Sequence, residues 1–117
     1  MSHKPTVAFD AFAALDIRAG QITRVEPFPE ARKPAFKIWV DFGEGIGTLQ
    51  SSAQLTKRYS PETLVGIIIL AVVNFAPRRI AGFESQILIL GMMNPSDDGD
   101  VVLVRPDDSA VMAWPLG

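Results

Sequence analysis

The chain has 117 residues, of which 48% are hydrophobic, and both values fit a single domain with a sizeable apolar core. The absence of cysteine excludes disulfides and thiolate metal sites, and a single histidine, His3, argues against a histidine-based catalytic or metal centre. The longest apolar run, at 67–73, is too short to cross a membrane, and no secretion signal opens the chain, so we expect a cytoplasmic protein.

The formal net charge of −2 conceals an uneven distribution of charge along the chain. Residues 1–90 carry ten basic and eight acidic side chains, whereas residues 91–117 carry one base and five acids. The basic residues also fall in short clusters at 32–37, 57–58 and 78–79. A local basic patch is the electrostatic footprint of a nucleic-acid-binding protein, although short charge clusters are more often solvated surface. Charge by itself leaves both interpretations open.

The first predicted element is a short N-terminal helix over residues 6–15. Residues 1–5 before it should be flexible, and Thr6 is placed to cap the helix. Phe12 and Leu15 lie on one face at helical spacing, so we expect the helix to dock on the rest of the domain.

The next two predicted elements are strands that differ in regularity. In the first, over 16–27, the apolar positions change parity after Gly20 and later change back, which predicts a bulged and strongly bent strand. The second, over 35–42, alternates regularly, with apolar even-numbered residues on one face and Lys37 and Trp39 on the other.

The rest of the chain predicts one helical insert among further strands. The elements are, in order, a strand at 46–51, a helical segment at 54–65, a strand at 67–75, a loop at 77–82, a strand at 84–90, a turn at 94–99, a strand at 101–104, a turn at 105–109 and a last strand at 111–114. Within the helical segment, Ser60 is a good N-cap, Pro61 suits the first helical position and Gly66 is a stop signal.

This order of elements predicts an all-β fold with short helices. Five main strands with a helical insert between the third and the fourth are the layout of an OB-fold, a small five-stranded Greek-key barrel that is partly open. The N-terminal helix and the C-terminal strands are then extensions of the barrel. An SH3-like barrel is the competing fold, and the helical insert argues against it.

Two of the predicted strands are apolar on both faces, over 67–73 and 87–90. A small barrel buries only one face of each strand, and large exposed apolar patches are rare on monomers. The terminal elements could cover the second face, and a second copy of the chain is the alternative cover. We expect a homodimer.

Four segments, in their order along the chain, resemble motifs of the tRNA-binding-domain family. They are DIRAGQI at 16–22, SSAQL at 51–55, YSPETLVG at 59–66 and VNFAPRRIAGF at 73–83. The first of them is similar to the family opening D-[IL]-R-V-G-x-I. No single motif would suffice, but the ordered set extends over most of the chain and is specific. The resemblance departs at Gln86, where family members commonly carry glutamate.

The resemblance implies an OB-fold that binds RNA or polypeptide and has neither a catalytic centre nor a cofactor. Freestanding members of the family form homodimers, and some are described as protein-export chaperones. The resemblance therefore implies an ATP-independent chaperone for unfolded or export-bound polypeptides, with a capacity to bind tRNA. The alternative is a structure-specific tRNA-binding protein without a chaperone role. No P-loop, G-x-S-x-G or H-E-x-x-H motif occurs in the sequence, and an enzyme is not expected.

The candidate RNA contacts centre on Arg78 and Arg79, since guanidinium groups match phosphate geometry. The resemblance favours this role over that of solvated loop charges. The face of strands 2 and 3, which OB-folds use for oligonucleotides, supplies further candidates. The full set is Lys33, Lys37, Ser52, Gln54, Asn74, Arg78, Arg79, Ser85 and Gln86. Turn and strand-end chemistry is the alternative for Asn74 and Ser85, and helix capping is the alternative for Ser52.

The candidate peptide contacts are apolar side chains that we expect to be exposed, namely Phe28, Phe36, Trp39, Phe83, Met92 and Met93. Flexible methionines suit surfaces that accept many partners. Each of the six could instead be a core residue, and Trp39 could be a base-stacking platform or could pack on a partner subunit or a terminal helix. The acids at 97–100 lack the glutamate that completes an EF-hand, so we expect solvated turn acids rather than a metal site.

Overall fold

The computed structural model describes residues 2–107 and 112–117. Two short helices and nine strands lie in these ranges. The helices are α1 (Phe9–Ala13) and α2 (Pro61–Leu64), and the strands are β1 (Ile17–Pro27), β2 (Phe36–Asp41), β3 (Thr48–Ala53), β4 (Ile68–Val72), β5 (Arg78–Ile80), β6 (Phe83–Ser85), β7 (Leu88–Ile89), β8 (Gly91–Met93) and β9 (Val101–Leu103). Neither of these helices is long and apolar enough to cross a membrane.

Five of the strands form one antiparallel sheet in the spatial order β3-β2-β1-β4-β7. The edge strand β3 meets the segment between β6 and β7, where Gln86 N donates a hydrogen bond to Gln50 O at 2.8 Å. The sheet is thereby nearly closed into a barrel, and α2 is inserted between β3 and β4. This is an OB-fold, as the order of elements predicts.

Strand β1 bends so that it can pair with two partners. Its first half pairs with β4 and its second half with β2. The register with β2 shifts between Ile22 and Arg24, which confirms the predicted bulge. A Cβ at Gly20 would come within 2.6 Å of Val40 Cγ1, so only glycine permits this close approach of backbone to core.

The core of the barrel is built from the inward faces of the sheet. In β2 the predicted alternation is confirmed, since Ile38 and Val40 are fully buried and the residues on the other face are not. Ser51 of β3 is buried among these apolar side chains. Its hydroxyl donates a hydrogen bond to Ile87 O at 3.2 Å, which satisfies the buried polar group.

Helix α2 is shorter than the predicted segment 54–65 but begins where the sequence indicates. Ser60 is its N-cap, and its hydroxyl accepts a hydrogen bond from Thr63 N while Thr63 Oγ1 accepts one from Ser60 N. Leu64 in the last position is fully buried against the barrel. Gly66 follows with a φ of 95°, a conformation that ends a helix without strain only at glycine.

Helix α1 differs from the prediction in extent and in packing. It covers five residues, its N-cap is Ala8 rather than Thr6, and none of its residues is buried. The Phe9 and Phe12 rings contact each other, with centroids 5.8 Å apart. The expectation that this helix docks on the barrel of its own chain is wrong, because the helix makes little more than one turn and its Phe9 and Phe12 side chains stay exposed.

The segment predicted as one strand over 84–90 is divided between β6 and β7, and β8 begins directly after it. Between β6 and β7 the chain bonds to β3, where Ser85 Oγ accepts a hydrogen bond from Ser52 N at 3.0 Å. The predicted loop over 77–82 is also wrong, since residues in it form β5, which pairs with β6 as a hairpin.

Residues 112–114, the described part of the strand predicted over 111–114, do not form a strand. Residues 108–111 lie outside the described ranges, so the last two residues of the turn predicted over 105–109 are not described. Residues 112–113 form a turn. Pro115 then makes an isolated antiparallel bridge with Arg18 of β1. Backbone hydrogen bonds lie on both sides of this bridge, from Ala113 N to Ala19 O and from Leu116 N to Ile17 O, each at 2.8 Å, and they hold the C-terminal segment beside β1.

Candidate nucleic-acid interface

A groove of about 820 Å³ lies between the β1–β2 loop and the β5–β6 hairpin, and we call it the basic groove. Its lining residues are Ala31, Arg32, Lys33, Ala35, Ser52, Gln54, Arg78, Arg79, Ile80 and Ala81. Two cations come from the loop and two from the hairpin, so positive charge stands on both sides of the groove. The neighbouring loops and the β2–β3 face are where OB-folds receive oligonucleotides.

The hairpin that carries Arg78 and Arg79 is tightly built. Its register pairs Arg78 with Ser85 and leaves a two-residue turn at Ala81 and Gly82. Both turn residues have positive φ, 48° and 82°, as a type I′ turn requires. Arg79 Nη1 also donates a hydrogen bond to Gly82 O at 2.8 Å. The two arginines therefore lie on a strand whose direction the turn fixes.

An aromatic cluster, formed by Phe28, Trp39 and Phe83, holds the hairpin on the outer face of β2. The Phe83 ring centroid lies 5.5 Å from that of Phe28 and 6.0 Å from that of Trp39, both in edge-to-face geometry. Lys37 Nζ lies 4.9 Å from the Phe28 ring and 5.3 Å from the Phe83 ring. Lys37 therefore contacts the aromatic cluster and is not among the residues that line the basic groove.

Trp39 is also fixed on its other side. Its indole Nε1 donates a hydrogen bond to Gln50 Oε1 at 3.2 Å, and the Arg24 guanidinium lies 4.7 Å from its ring centroid. Trp39 is only half-buried, but its contacts with the hairpin and with β3 explain its presence without a stacked base.

Two of the candidate RNA-binding side chains close the barrel. Ser85 Oγ accepts a hydrogen bond from Ser52 N, and Gln86 Oε1 accepts one from Gln50 N, both at 3.0 Å. Gln50 Nε2 also donates to Glu84 O at 2.8 Å. Side chains thus supply bonds that a regular ladder between β3 and the β6–β7 segment would otherwise make.

Asn74 joins the end of β4 to the segment between α1 and β1, away from the basic groove. Its Oδ1 accepts a hydrogen bond from Asp16 N at 2.9 Å, and its Nδ2 donates to Ala14 O at 2.9 Å. The side chain therefore connects the end of α1 and the start of β1 to the end of β4. Strand-end chemistry, the alternative that the sequence leaves open, accounts for both of its polar groups.

The acidic turn at 94–100 neutralises one of the three basic clusters. Lys57 Nζ lies 2.6 Å from Asp97 Oδ1, and Arg58 binds both carboxylate oxygens of Asp100 at 2.9 and 3.0 Å. The Arg58 guanidinium, with help from Asn94, lowers the pKa of Asp100 to about 2. Asp97 and Asp100 are therefore ion-paired, whereas the sequence predicts solvated turn acids.

The cations of the basic groove are mostly free of such partners. Lys33 Nζ lies 3.9 Å from a carboxylate oxygen of Asp98, whose side chain is 91% exposed, and so exposed a pair contributes little. Within the described ranges, Arg32, Arg78 and Arg79 form no ion pair. Their charge is available to an anionic ligand.

The structure brings five of the nine candidate RNA contacts together in the basic groove, namely Lys33, Ser52, Gln54, Arg78 and Arg79. Lys37, Asn74, Ser85 and Gln86 act elsewhere in the ways just described. Arg32 lines the groove and is absent from the predicted set. Its position beside Lys33 in the basic loop is the signal that could have indicated it.

A smaller apolar pocket of about 380 Å³ adjoins the basic groove. Its lining residues are Ser52, Phe75, Ala76, Arg78, Ile80, Ser85, Gln86, Ile87 and Leu88. Phe75 and Leu88 are 45% and 49% exposed, although neither is among the predicted peptide contacts. The apolar pocket is thus a second accessible concave surface on the same side of the barrel.

The six candidate peptide contacts differ widely in exposure. Phe28 and Phe36 are only 4% and 8% exposed, so the expectation that they are exposed is wrong. Phe36 packs in the barrel core, and Phe28 is buried in the aromatic cluster. Met92 and Met93 of β8 are 66% and 80% exposed and fit the prediction. The remaining two, in the aromatic cluster, are half-buried.

The fold and the basic groove can be compared with known proteins. A family model described as a putative tRNA binding domain matches residues 17–113. The chain belongs to this tRNA-binding-domain family. Methionine–tRNA ligase of Thermococcus kodakarensis is 39% identical over 102 residues, which cover 86% of this chain and 13% of the ligase. The chain spans 13–15% of the length of the curated family relatives that it matches.

Two solved members of the family are similar along their whole length. The chaperone CsaA of Bacillus anthracis is 48% identical, with a TM-score of 0.89, and the match covers 97% of this chain and 100% of CsaA. The CsaA chaperone protein of Picrophilus torridus is 38% identical, with a TM-score of 0.87, and covers 96% of this chain and 100% of its own.

Proposed function

We propose that this chain is a CsaA-type chaperone that holds unfolded or export-bound polypeptides in the cytoplasm without using ATP. One observation carries the proposal. CsaA of Bacillus anthracis, whose name describes it as a chaperone, matches 97% of this chain over 100% of its own length at 48% identity. The matched ligases extend far beyond the shared domain, so CsaA is the better guide to function. A single OB-fold domain then acts by binding and not by catalysis.

The exposed methionines of β8 are the surface that suits polypeptide clients best. Met92 and Met93 project 66% and 80% of their surface into solvent. Their unbranched thioether side chains adapt to apolar partners of different shape, as a chaperone with many clients requires. Unfolded segments expose apolar side chains that folded proteins bury, so this surface distinguishes the two states.

We expect the protein, added without ATP in an amount that supplies one binding site for each client molecule, to suppress aggregation of an unfolding client. Replacement of both Met92 and Met93 with serine should remove most of this activity, because it removes the exposed apolar surface. Light scattering of a heat-denatured client measures the effect. Val65→Ser, at a position that is 50% exposed and remote from β8 in the chain, is the control and should retain activity. Full activity of the double variant would contradict the assigned surface, and no suppression by the unmodified protein would contradict the chaperone function.

We further propose that the protein is a homodimer. Val7 and Phe9 are each 73% exposed, and Trp114 and Leu116 are 67% and 44% exposed. The two terminal segments that carry them both reach the start of β1, where Leu116 N bonds to Ile17 O. A partner that covers these side chains would remove a large apolar patch from water. The exposed terminal segments, more than the outer face of β4, thus supply the apolar surface that favours a dimer.

Sedimentation equilibrium tests the dimer. We expect a mass twice the 12.7 kDa of one chain at micromolar concentration. Replacement of Phe9 and Trp114 together with serine should shift the equilibrium toward the monomer, whereas Val65→Ser should not. A monomer from the unmodified protein would contradict the proposal.

A second candidate function is tRNA binding, and the basic groove specifically favours it. Its arginines stand on opposite sides of a concave surface, free of ion pairs among the described residues, and arginine forks bind phosphate oxygens in bidentate fashion. Contacts with phosphate supply much of the affinity in protein–RNA complexes. The methionine surface and the basic groove are formed by different residues, so one protein could serve both functions.

A further inference from the structure

The apolar pocket and the basic groove share three lining residues, Ser52, Arg78 and Ile80. They are therefore continuous, with a cation at their junction. We propose that the apolar pocket binds the base of one unpaired nucleotide in a single-stranded RNA segment whose phosphate contacts Arg78. This inference rests on the proposed RNA binding by the basic groove and names the part of the RNA that is recognised.

The aromatic ring needed for such a contact is present and accessible. Phe75 lines the apolar pocket and is 45% exposed, and Ile80 and Leu88 provide further apolar wall. Sequence-specific RNA recognition uses unpaired bases that stack on aromatic side chains. The pocket volume, about 380 Å³, lies within the usual range for small-ligand sites.

The same pocket offers polar groups suited to the edge of a base. Ser52 Oγ makes no hydrogen bond within the described part of the chain. Ser85 Oγ accepts from Ser52 N and can still donate its own proton. Gln86 Nε2 makes only a long contact, 3.5 Å, with Glu84 Oε1. Donors and an acceptor thus stand beside the apolar wall.

An apolar peptide side chain is the competing occupant. It could fill the space between Phe75 and Leu88, but it would leave the Ser52, Ser85 and Gln86 groups without new partners and would remove them from water. A nucleotide matches both the apolar wall and the polar groups of the pocket, because its base is a flat apolar ring with polar edges. Its phosphate is an anion that can contact Arg78. Charge and shape therefore favour the nucleotide.

Fluorescence anisotropy with two labelled strands tests the inference. One is a short oligouridylate, and the other is an abasic strand of the same length and charge. We expect the unmodified protein to bind the oligouridylate more tightly than the abasic strand. Phe75→Leu should weaken oligouridylate binding by about five- to tenfold, since stacking is lost. It should leave binding of the abasic strand unchanged, and Phe75→Trp should bind the oligouridylate at least as well as the unmodified protein.

The matched pair of variants also separates the two occupants. Leucine keeps the apolar surface at position 75, so Phe75→Leu should still bind a reduced, carboxymethylated client protein. Equal affinity of the unmodified protein for both strands would overturn the base pocket and leave RNA binding by the groove intact. Loss of client binding with unchanged RNA binding would assign the pocket to polypeptide instead. Failure to bind tRNA or either strand would instead contradict the RNA-binding function itself.

Discussion

Replacement of both Arg78 and Arg79 with alanine is expected to weaken tRNA binding about 10- to 100-fold at moderate salt, because two charge-assisted contacts with phosphate are lost. The plot of log affinity against log salt concentration should become shallower by roughly two, about one for each phosphate contact. Both side chains are exposed, and Arg79 makes one hydrogen bond, to Gly82 O, so the fold should survive. Titrations at several salt concentrations measure both quantities.

The neighbouring basic cluster provides a matched control for this experiment. Replacement of Lys57 and Arg58 with alanine also removes two positive charges, but these side chains are bound to Asp97 and Asp100 and Arg58 lies outside the basic groove. This variant should bind tRNA nearly as well as the unmodified protein. An equal loss in both double variants would indicate that only net charge matters. Salt-insensitive binding would contradict phosphate recognition altogether.

Those parts of the fold that depend on local chemistry could be predicted from the sequence. The structure confirms three such predictions, namely the alternation in β2, the N-cap at Ser60 and the bulge that the parity change after Gly20 predicts. Each depends on residues close together in the chain. The sequence does not indicate the hairpin, because its turn is Ala81-Gly82 and not one of the usual pairs with asparagine or aspartate. Ala81 adopts a positive φ, which an alanine in the sequence does not predict.

The sequence indicates the cations of the candidate site but not which side chains the fold brings next to them. Arg78 and Arg79 stand out in the sequence, yet only the fold brings them opposite Arg32 and Lys33. Strand alternation correctly places Lys37 on the outer face of β2. It cannot reveal that residues 46 positions apart in the chain, Lys37 and Phe83, meet there. Contacts of this kind depend on tertiary packing and have no local signal.

Gln86, where the sequence departs from the family pattern, is another residue whose role depends on tertiary packing. In the structure its Oε1 accepts a hydrogen bond from Gln50 N, in the closure of the barrel. A glutamate carboxylate could accept the same bond. The residue therefore has a structural explanation that is independent of charge in the basic groove.

Replacement of Phe83 with alanine is expected to lower the free energy of unfolding by about 2 kcal/mol, less than for a fully buried phenylalanine because Phe83 is half-buried. It removes the ring that contacts Phe28, Trp39 and Lys37, so the hairpin loses its attachment to β2. Urea unfolding measures the stability. We also expect tRNA affinity to fall at least about threefold in the folded protein, because Arg78 is no longer held in place before binding.

The salt dependence distinguishes this loss from the removal of charge. Phe83→Ala keeps every cation, so its salt slope should equal that of the unmodified protein although its affinity is lower. Lys37→Met keeps the aliphatic stem over the rings and removes only the charge, so it should cost about 0.5–1 kcal/mol of stability and leave the slope unchanged. A slope that falls by one in Lys37→Met would mean that Lys37 leaves the aromatic cluster to contact phosphate. Unchanged affinity in Phe83→Ala would mean that the type I′ turn alone, without the aromatic cluster, positions the arginines.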